Sequence, residues 1–274
     1  MGYLLQNGGL GMAGDWIITG GRPLQGRVEV PAAKNSVLPL LAAALLCSGP
    51  VRLQNVLRLT DVEDCLALLQ GVGCTAGWQG TELVVQGQPM RTDLAPEAAG
   101  RMRASILFCA PLLARLGRVS TVQPGGCRIG ARPIDLHLQG LAQMGVRQLP
   151  AAPGQLTLYA PAGLRGAEIC LSFPSVGATE TLLLAAATAQ GQTVLHGVAK
   201  EPEIVDLAAF LNACGGGVEG AGTDTIRVQG KRCLAGCTFA PVADRIIAST
   251  LACAAAAAGG RVELAGCAPG LYAP

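Results

Sequence analysis

The chain repeats itself, and that periodicity limits its possible folds more than any other feature. Leu53-Gln54-Asn55-Val56, followed by Asp64, Leu69 and Gly73, returns as Leu195-His196-Gly197-Val198, Asp206, Leu211 and Gly215. Each residue lies 142 positions after its counterpart. A middle copy runs from Pro133-Ile134-Asp135 through Leu138 and Leu141 to Gly145, 72 positions after Asp61 to Gly73. Each copy reads as a strand, an acidic turn, a helix with apolar residues at helical spacing (Val62, Leu66, Leu69; Ile204, Leu207, Leu211), and a glycine stop. Upstream of each lies an Ala/Leu helix that runs into glycine and then a strand. Those glycines are Gly49, Gly117, Gly191 and Gly260, and the strands begin Val51, Val119, Thr193 and Val262. Regular spacing of this kind marks stacked copies of one structural unit. Three complete copies of about 70 residues are expected over 28–242. A fourth begins near Asp244 with a helix over Ile246–Ala258 and a strand. Its second helix is not present in the sequence, so an incomplete unit is expected there.

Half of the 274 residues are hydrophobic and only 3% are aromatic, so the core is built from Leu, Val, Ile and Ala, as where helices pack on sheets. The formal net charge of +2 comes without a basic run or a basic-aromatic patch, which argues against a nucleic-acid partner. The longest apolar runs, Val37–Cys47 and Leu251–Ala258, fall short of the roughly 20 residues that span a bilayer. Met1–Leu10 has no basic start and does not read as a secretory signal. Of eleven cysteines, Cys47, Cys65, Cys109, Cys214 and Cys253 sit in apolar helix-like runs. They are expected as buried thiols in a reducing cytosol. Cys233 and Cys237, with only His137 and His196 in the chain, do not make a zinc site. No metal or cofactor is expected.

Four segments carry candidate chemistry. In Ala33-Lys34-Asn35-Ser36, Asn35 or Ser36 is positioned to cap the following helix, with Lys34 at its positive end, a setting for a phosphate or carboxylate. Arg101 and Arg103 precede an apolar helix, where cations are unfavourable unless an anion compensates. Pro124-Gly125-Gly126-Cys127-Arg128-Ile129-Gly130-Ala131-Arg132-Pro133 sets one thiol on a glycine-hinged loop that is free to swing, between arginines that favour thiolate. Pro133 fits the first turn of the next helix, and Asp135 stabilises that turn and offers an acceptor. Ser175-Val176-Gly177 opens a helix whose bare backbone N–H groups suit a diphosphate. Each segment alone also has a plain reading as a cap, a surface charge or a loop.

Taken together these segments resemble the UDP-N-acetylglucosamine 1-carboxyvinyltransferase family of enolpyruvyl transferases. The matching strings are Gly20-Gly21-Arg22-Pro23-Leu24-Gln25-Gly26, Ala33-Lys34-Asn35, Leu53-Gln54-Asn55-Val56, Met102-Arg103-Ala104-Ser105, Pro124 to His137, Ser175 to Thr179, Glu201 to Asp206 and Asp244-Arg245-Ile246, in family order. The resemblance implies a two-domain inside-out α/β barrel with the active site between domains. Residues 28–242 would form one complete three-unit domain. Residues 1–27 and 243–274 would belong to a second, partial domain. It implies phosphoenolpyruvate and UDP-N-acetylglucosamine as substrates, a cytoplasmic location, a place at the opening of peptidoglycan synthesis, and no cofactor. Lys34 and Asn35 would hold phosphoenolpyruvate. Arg103, Arg132, Pro133, Ile134, Asp135 and Leu136 would contact the UDP-sugar or order its pocket, and Ser175, Val176 and Gly177 would sit on its UDP part. Cys127 would be the acid that protonates phosphoenolpyruvate and the target of fosfomycin.

Three departures from the family pattern stand out. Pro31-Ala32 replaces Ser-Gly, Phe173 stands where a lysine is common, and Ile247 stands where glutamate is usual. The family's later aspartate and closing arginines would fall beyond Pro274, so weak turnover by this chain is expected. Two other readings are a non-catalytic paralogue that binds a UDP-sugar or a partner, and an enolpyruvyl transferase of the shikimate type, against which the Cys127 loop argues.

Overall fold

A computed structural model of the chain describes residues 20–126, 133–268 and 270. After strand β1 (Leu24–Glu29) comes a first unit: α1 (Lys34–Ala43), β2 (Val51–Leu53), α2 (Thr60–Gly71), β3 (Thr75–Gln79) and β4 (Glu82–Gln86). The second holds α3 (Pro96–Arg101), a 3-10 segment Arg103–Phe108, α4 (Cys109–Leu116), β5 (Arg118–Val122), α5 (Asp135–Gln143), β6 (Arg147–Leu149) and β7 (Gln155–Tyr159). After a connecting strand β8 (Glu168–Cys170), the third holds α6 (Val176–Ala186), β9 (Gln192–His196), α7 (Pro202–Ala213), β10 (Val218–Glu219) and β11 (Thr225–Gln229). The described chain ends with β12 (Thr238–Phe239), α8 (Arg245–Ala258) and β13 (Gly260–Ala265).

Each unit builds one small antiparallel sheet, and each sheet takes a parallel strand from the unit before it. β8, which follows the second unit, lies parallel to β9 of the third. Residues 92–94, which follow the first unit, run beside β5, with Leu94 N donating to Ser120 O and Ser120 N to Thr92 O, both at 2.9 Å. β12, which follows the third unit, returns to β2 of the first. Three successive donations therefore close a ring.

Inside the ring sit α1, the 3-10 segment with α4, and α6, which touch one another. They are the segments that read as uninterrupted apolar runs. Leu40, Leu41, Leu112, Leu182 and Leu183 have essentially no exposed surface. A helix apolar on all sides belongs in the centre of a protein. α2, α5 and α7, apolar on one side only, pack outside this trio. Helices lie at the centre and sheets at the periphery, the inside-out α/β barrel that the family resemblance implies.

The repeat holds to the level of single dihedrals. Gly73, Gly145 and Gly215 follow α2, α5 and α7 with φ of 106°, 94° and 88°, the left-handed stop that glycine takes without steric cost. Asn55 and Gly197, equivalent by sequence, both turn left-handed, with φ of 56° and 65°. The match is looser at Gly49, which has no positive φ, because α1 tightens into a 3-10 turn over Ala44–Leu46 before the chain reaches it.

β1 joins none of the three sheets and pairs in parallel with β13. Val30, Ala243 and Ala248 form a small core separate from the main one. The helix expected over Ile246–Ala258 is α8, and most of its surface is exposed. Cys253 on this helix is exposed, against expectation, because its apolar run faces no covering layer among the described residues. Cys47, Cys65, Cys109 and Cys214 are buried, and burial pushes the Cys109 thiol up to about 12.

Gly166 and Gly236 hold equivalent places, each two residues before a donated strand. A Cβ on Gly236 would meet the backbone of Pro50 and Gly49, and one on Gly166 would meet the backbone of Gln192. These neighbours are main chain and cannot turn aside. Gly236→Ala is expected to lower stability by about 1–3 kcal/mol through overpacking at the ring's last seam. A reduced urea midpoint with an unchanged slope would show this.

Candidate functional site: a cleft ringed by helix first turns

The first turns of α1, α2, α5, α6, α7 and α8 supply Lys34, Asp61, Asp135, Val176, Glu203 and Arg245 to one open cleft of about 800 Å³. The ring explains the convergence, since repeated units present equivalent helix ends to the same side. First turns carry unpaired N–H groups and the positive end of the helix dipole, so a cleft walled by several of them favours anions.

The binding residues expected from sequence are largely assembled here. Lys34, Asn35, Arg103, Pro133, Asp135, Leu136, Ser175, Val176 and Gly177 all line the cleft. Ile134 does not; it packs against the main core. Cys127 and Arg132 lie outside the described residues. Gly126 and Pro133, the described residues on either side of them, both stand on the cleft wall.

Several local expectations change in the folded chain. α1 has no side-chain cap from its own sequence. Asn35 is exposed, and the Ser36 hydroxyl donates to Asp206 of α7. Capping comes from Asp244, 210 residues away, whose Oδ2 accepts from Lys34 N at 3.3 Å while its Oδ1 caps α8 through Ile246 N and Ile247 N at 2.9 and 3.0 Å. One carboxylate thus ties two helix starts together.

Arg101 needs no bound anion. It ends α3 rather than starting a helix, and it grips the buried carboxylate of Asp64 through Nε at 3.0 Å and a terminal nitrogen at 2.5 Å. Arg103 donates to the Pro133 carbonyl at 2.7 Å, bracing the start of α5. Pro133 is not in the first helical turn, because α5 begins at Asp135 with Ile134 as its cap residue. Gly125 and Gly126 serve close packing rather than a free hinge. A Cβ on Gly125 would strike the Gly100 carbonyl, and Gly126, with φ of 99°, lies against the Arg103 backbone. Ser175 does cap α6, accepting from Ala178 N at 3.4 Å.

The cleft also holds residues beyond those expected, among them the Asp61 carboxylate beside Lys34. Lys34 Nζ is 2.8 Å from Asp61 Oδ2, a part-exposed pair that a bound anion can reorganise. Glu180, Glu201, Glu203, His137 and Phe173 complete the wall. Arg245 is held by Glu203, with Nε at 3.2 Å from Oε1. The Glu201–Asp206 and Asp244–Ile246 strings marked this region, but only folding shows that they face Lys34. Burial pushes Glu180 up to about 8, helped by the charges of Glu203 and Glu201. Burial, with Arg103 nearby, pushes His137 down to about 4, and its Nδ1 lies 2.9 Å from the Thr181 hydroxyl. No group of acidic, histidine or cysteine side chains among the described residues is arranged to hold a metal ion, and no described helix is long and apolar enough to cross a membrane.

The closed ring of α/β units is an architecture shared with solved enolpyruvyl transferases. The chain belongs to the EPSP synthase (3-phosphoshikimate 1-carboxyvinyltransferase) family, whose model matches residues 18–271. Among named relatives it is 45% identical over 251 residues to UDP-N-acetylglucosamine 1-carboxyvinyltransferase of Nitratidesulfovibrio vulgaris (strain Hildenborough), covering 92% of this chain and 60% of that protein. It is 44% identical over 250 residues to the protein of the same name from Coprothermobacter proteolyticus, covering 91% of this chain and 59% of the relative. The chain thus spans about 60% of the length of these relatives. Among solved structures, the enolpyruvyl transferase NikO from Streptomyces tendae matches with a TM-score of 0.74 and 25% identity, over 86% of this chain and 56% of that one. EPSP synthase from Acinetobacter baumannii shares the fold, with a TM-score of 0.74 at 20% identity, over 92% of this chain and 58% of that one.

The His137 environment makes a pH prediction. Its folded pKa, about 4, lies below the ordinary 6.5, so between these values the unfolded chain binds a proton that the folded chain refuses. Stability from this residue is present above about 6.5 and is lost as pH falls towards about 4. Urea midpoints of wild type and His137→Gln measured over that range should converge as pH falls.

Proposed function

We propose that the cleft binds phosphoenolpyruvate and UDP-N-acetylglucosamine and that the protein transfers the enolpyruvyl group to the sugar 3′-hydroxyl, releasing phosphate. One observation carries this reading. Nine residues scattered from Lys34 to Gly177 meet in a single cleft, in a chain whose 45%-identical relatives bear that enzyme's name. We infer that this reaction opens peptidoglycan synthesis and runs in the cytoplasm.

In this reading Lys34, now paired with Asp61, turns to the phosphate or carboxylate of phosphoenolpyruvate, assisted by Asn35 and the first turn of α1. The first turn of α6, from Ser175 to Gly177, receives the diphosphate. Arg103, Arg132 and residues Pro133 to Leu136 shape the sugar-nucleotide pocket. The Cys127 thiol gives its proton to the methylene carbon as the 3′-oxygen bonds to the adjacent carbon and releases its hydroxyl proton. The C–O bond to phosphate then breaks, phosphate leaving with that hydroxyl proton, and one methyl proton returns to the Cys127 thiolate as the double bond re-forms in the enolpyruvyl ether. An acid must keep its proton until needed, and the negative charges of both substrates offset the arginines that otherwise favour thiolate.

We propose also that residues 28–242 form one domain and that 1–27 and 243–274 belong to another. The pairing of residues 24–27 with β13, and the place of Ala243 and Ala248 in a small core apart from the main one, support this division.

The reading is tested by titrating the chain with each substrate in a calorimeter. UDP-N-acetylglucosamine is expected to bind. Lys34→Ala is expected to weaken phosphoenolpyruvate by roughly tenfold or more, as for loss of a charge-assisted hydrogen bond. Fosfomycin with UDP-N-acetylglucosamine should add a covalent mass that peptide mapping places on Cys127. Wild-type protein that binds neither substrate would sink the proposal.

A further inference from the structure

Neither helix capping nor ion pairing among the described residues explains Glu180. It is 94% buried, with 6% of its surface exposed, and it lines the cleft. Among the described residues its carboxyl has no hydrogen-bond or ion-pair partner; the charges that act on it, those of Glu203 and Glu201 at the start of α7, are repulsive. Arg245 of α8, which also lines the cleft, is already held by both carboxylate oxygens of Glu203, at 3.2 and 3.5 Å. From α5 come His137, kept neutral by burial, and Asp135; from the 3-10 segment comes Arg103, engaged with Pro133.

The position of Glu180 on α6 matters. It lies three residues after Gly177 and four after Val176, so it shares a helix face with both. Side chains on a helix lean towards its N-terminus. The carboxyl is therefore directed to the end of α6 where bare N–H groups await an anion. Ionised, it would set a negative charge beneath that ligand in a desolvated wall. Protonated, it would present an O–H donor to a phosphate oxygen.

We propose that Glu180 makes the cleft's hold on a diphosphate ligand proton-linked: the protonated carboxyl admits and hydrogen-bonds the ligand, and the ionised carboxylate repels it. This rests on the reading of a nucleotide-sugar at α6 given above. Glu180, Glu201 and Glu203 crowd one part of the wall, and the Arg245 guanidinium there is already held by Glu203, so ligand binding and proton retention favour each other.

The test is calorimetric titration with UDP-N-acetylglucosamine from pH 7 to 9, on wild type and Glu180→Gln. Glutamine keeps the shape and an N–H donor but does not ionise. Wild-type affinity should fall relative to the variant above about pH 8, approaching tenfold per pH unit for one linked proton. Glu203→Gln should move the break to lower pH, because Arg245 is then free to pair with Glu180. A ligand-free arm checks the titration separately. Relative to Glu180→Gln, wild type should lose urea stability as pH rises from about 4.5 to about 8, since the folded chain alone retains the proton there. Wild type that binds with the same pH profile as Glu180→Gln, or stability curves that coincide, would overturn this proposal and leave the nucleotide-sugar reading standing. Wild type that binds no UDP-N-acetylglucosamine at any pH would remove both.

Discussion

Everything else in this structure depends on the passing of a strand from each unit to the sheet of the next. A single unit has a small sheet and two helices, one of them apolar on every side, and it cannot bury that helix alone. Three units can, because α1, the α4 segment and α6 shield one another at the centre. The parallel pairings at β8, residues 92–94 and β12 turn three units into a closed ring. The main-chain contacts of Gly166 and Gly236 show how closely the donated strands approach.

The cleft follows from that closure. Equivalent helices in a ring begin on the same side, and their first turns concentrate unpaired N–H groups and dipole ends in one place. Acidic side chains answer that field. Asp244 ties the starts of α1 and α8, and Ser36 and Asp206 join α1 to α7. Lys34, Arg101 and Arg245 each meet a carboxylate. The ligand-free site is a set of paired charges on a positive framework. An anionic ligand enters it by rearranging the more exposed pairs. Glu180 stands apart because it is buried and, among the described residues, pairs with no cation.

The number of units, their length, their helix stops and the apolar identity of the central helices were legible in the chain. These are local properties: a left-handed glycine, a 3.6-residue period and an all-apolar run each leave a mark within a few residues. Nine of the expected binding residues do meet in the cleft, because they sit at helix starts, which short-range signals reveal. Local signals misled where a side chain's partner was distant. Arg101 reads as an anion site until Asp64 of α2 is seen beneath it. Asn35 and Ser36 read as caps until Asp244 arrives from the far end of the chain.

By itself the sequence determined that this protein is a threefold α/β repeat with anion-suited helix starts and one distinctive cysteine loop, because periodicity and capping chemistry are written in adjacent residues. Only the tertiary structure decided which helix starts face one another, which arginines are already engaged, and that Glu180 faces two other carboxylates in the cleft wall. Pairing between charges depends on distances across the ring, and residues separated by tens to hundreds of positions become neighbours only when the last strand closes on the first sheet.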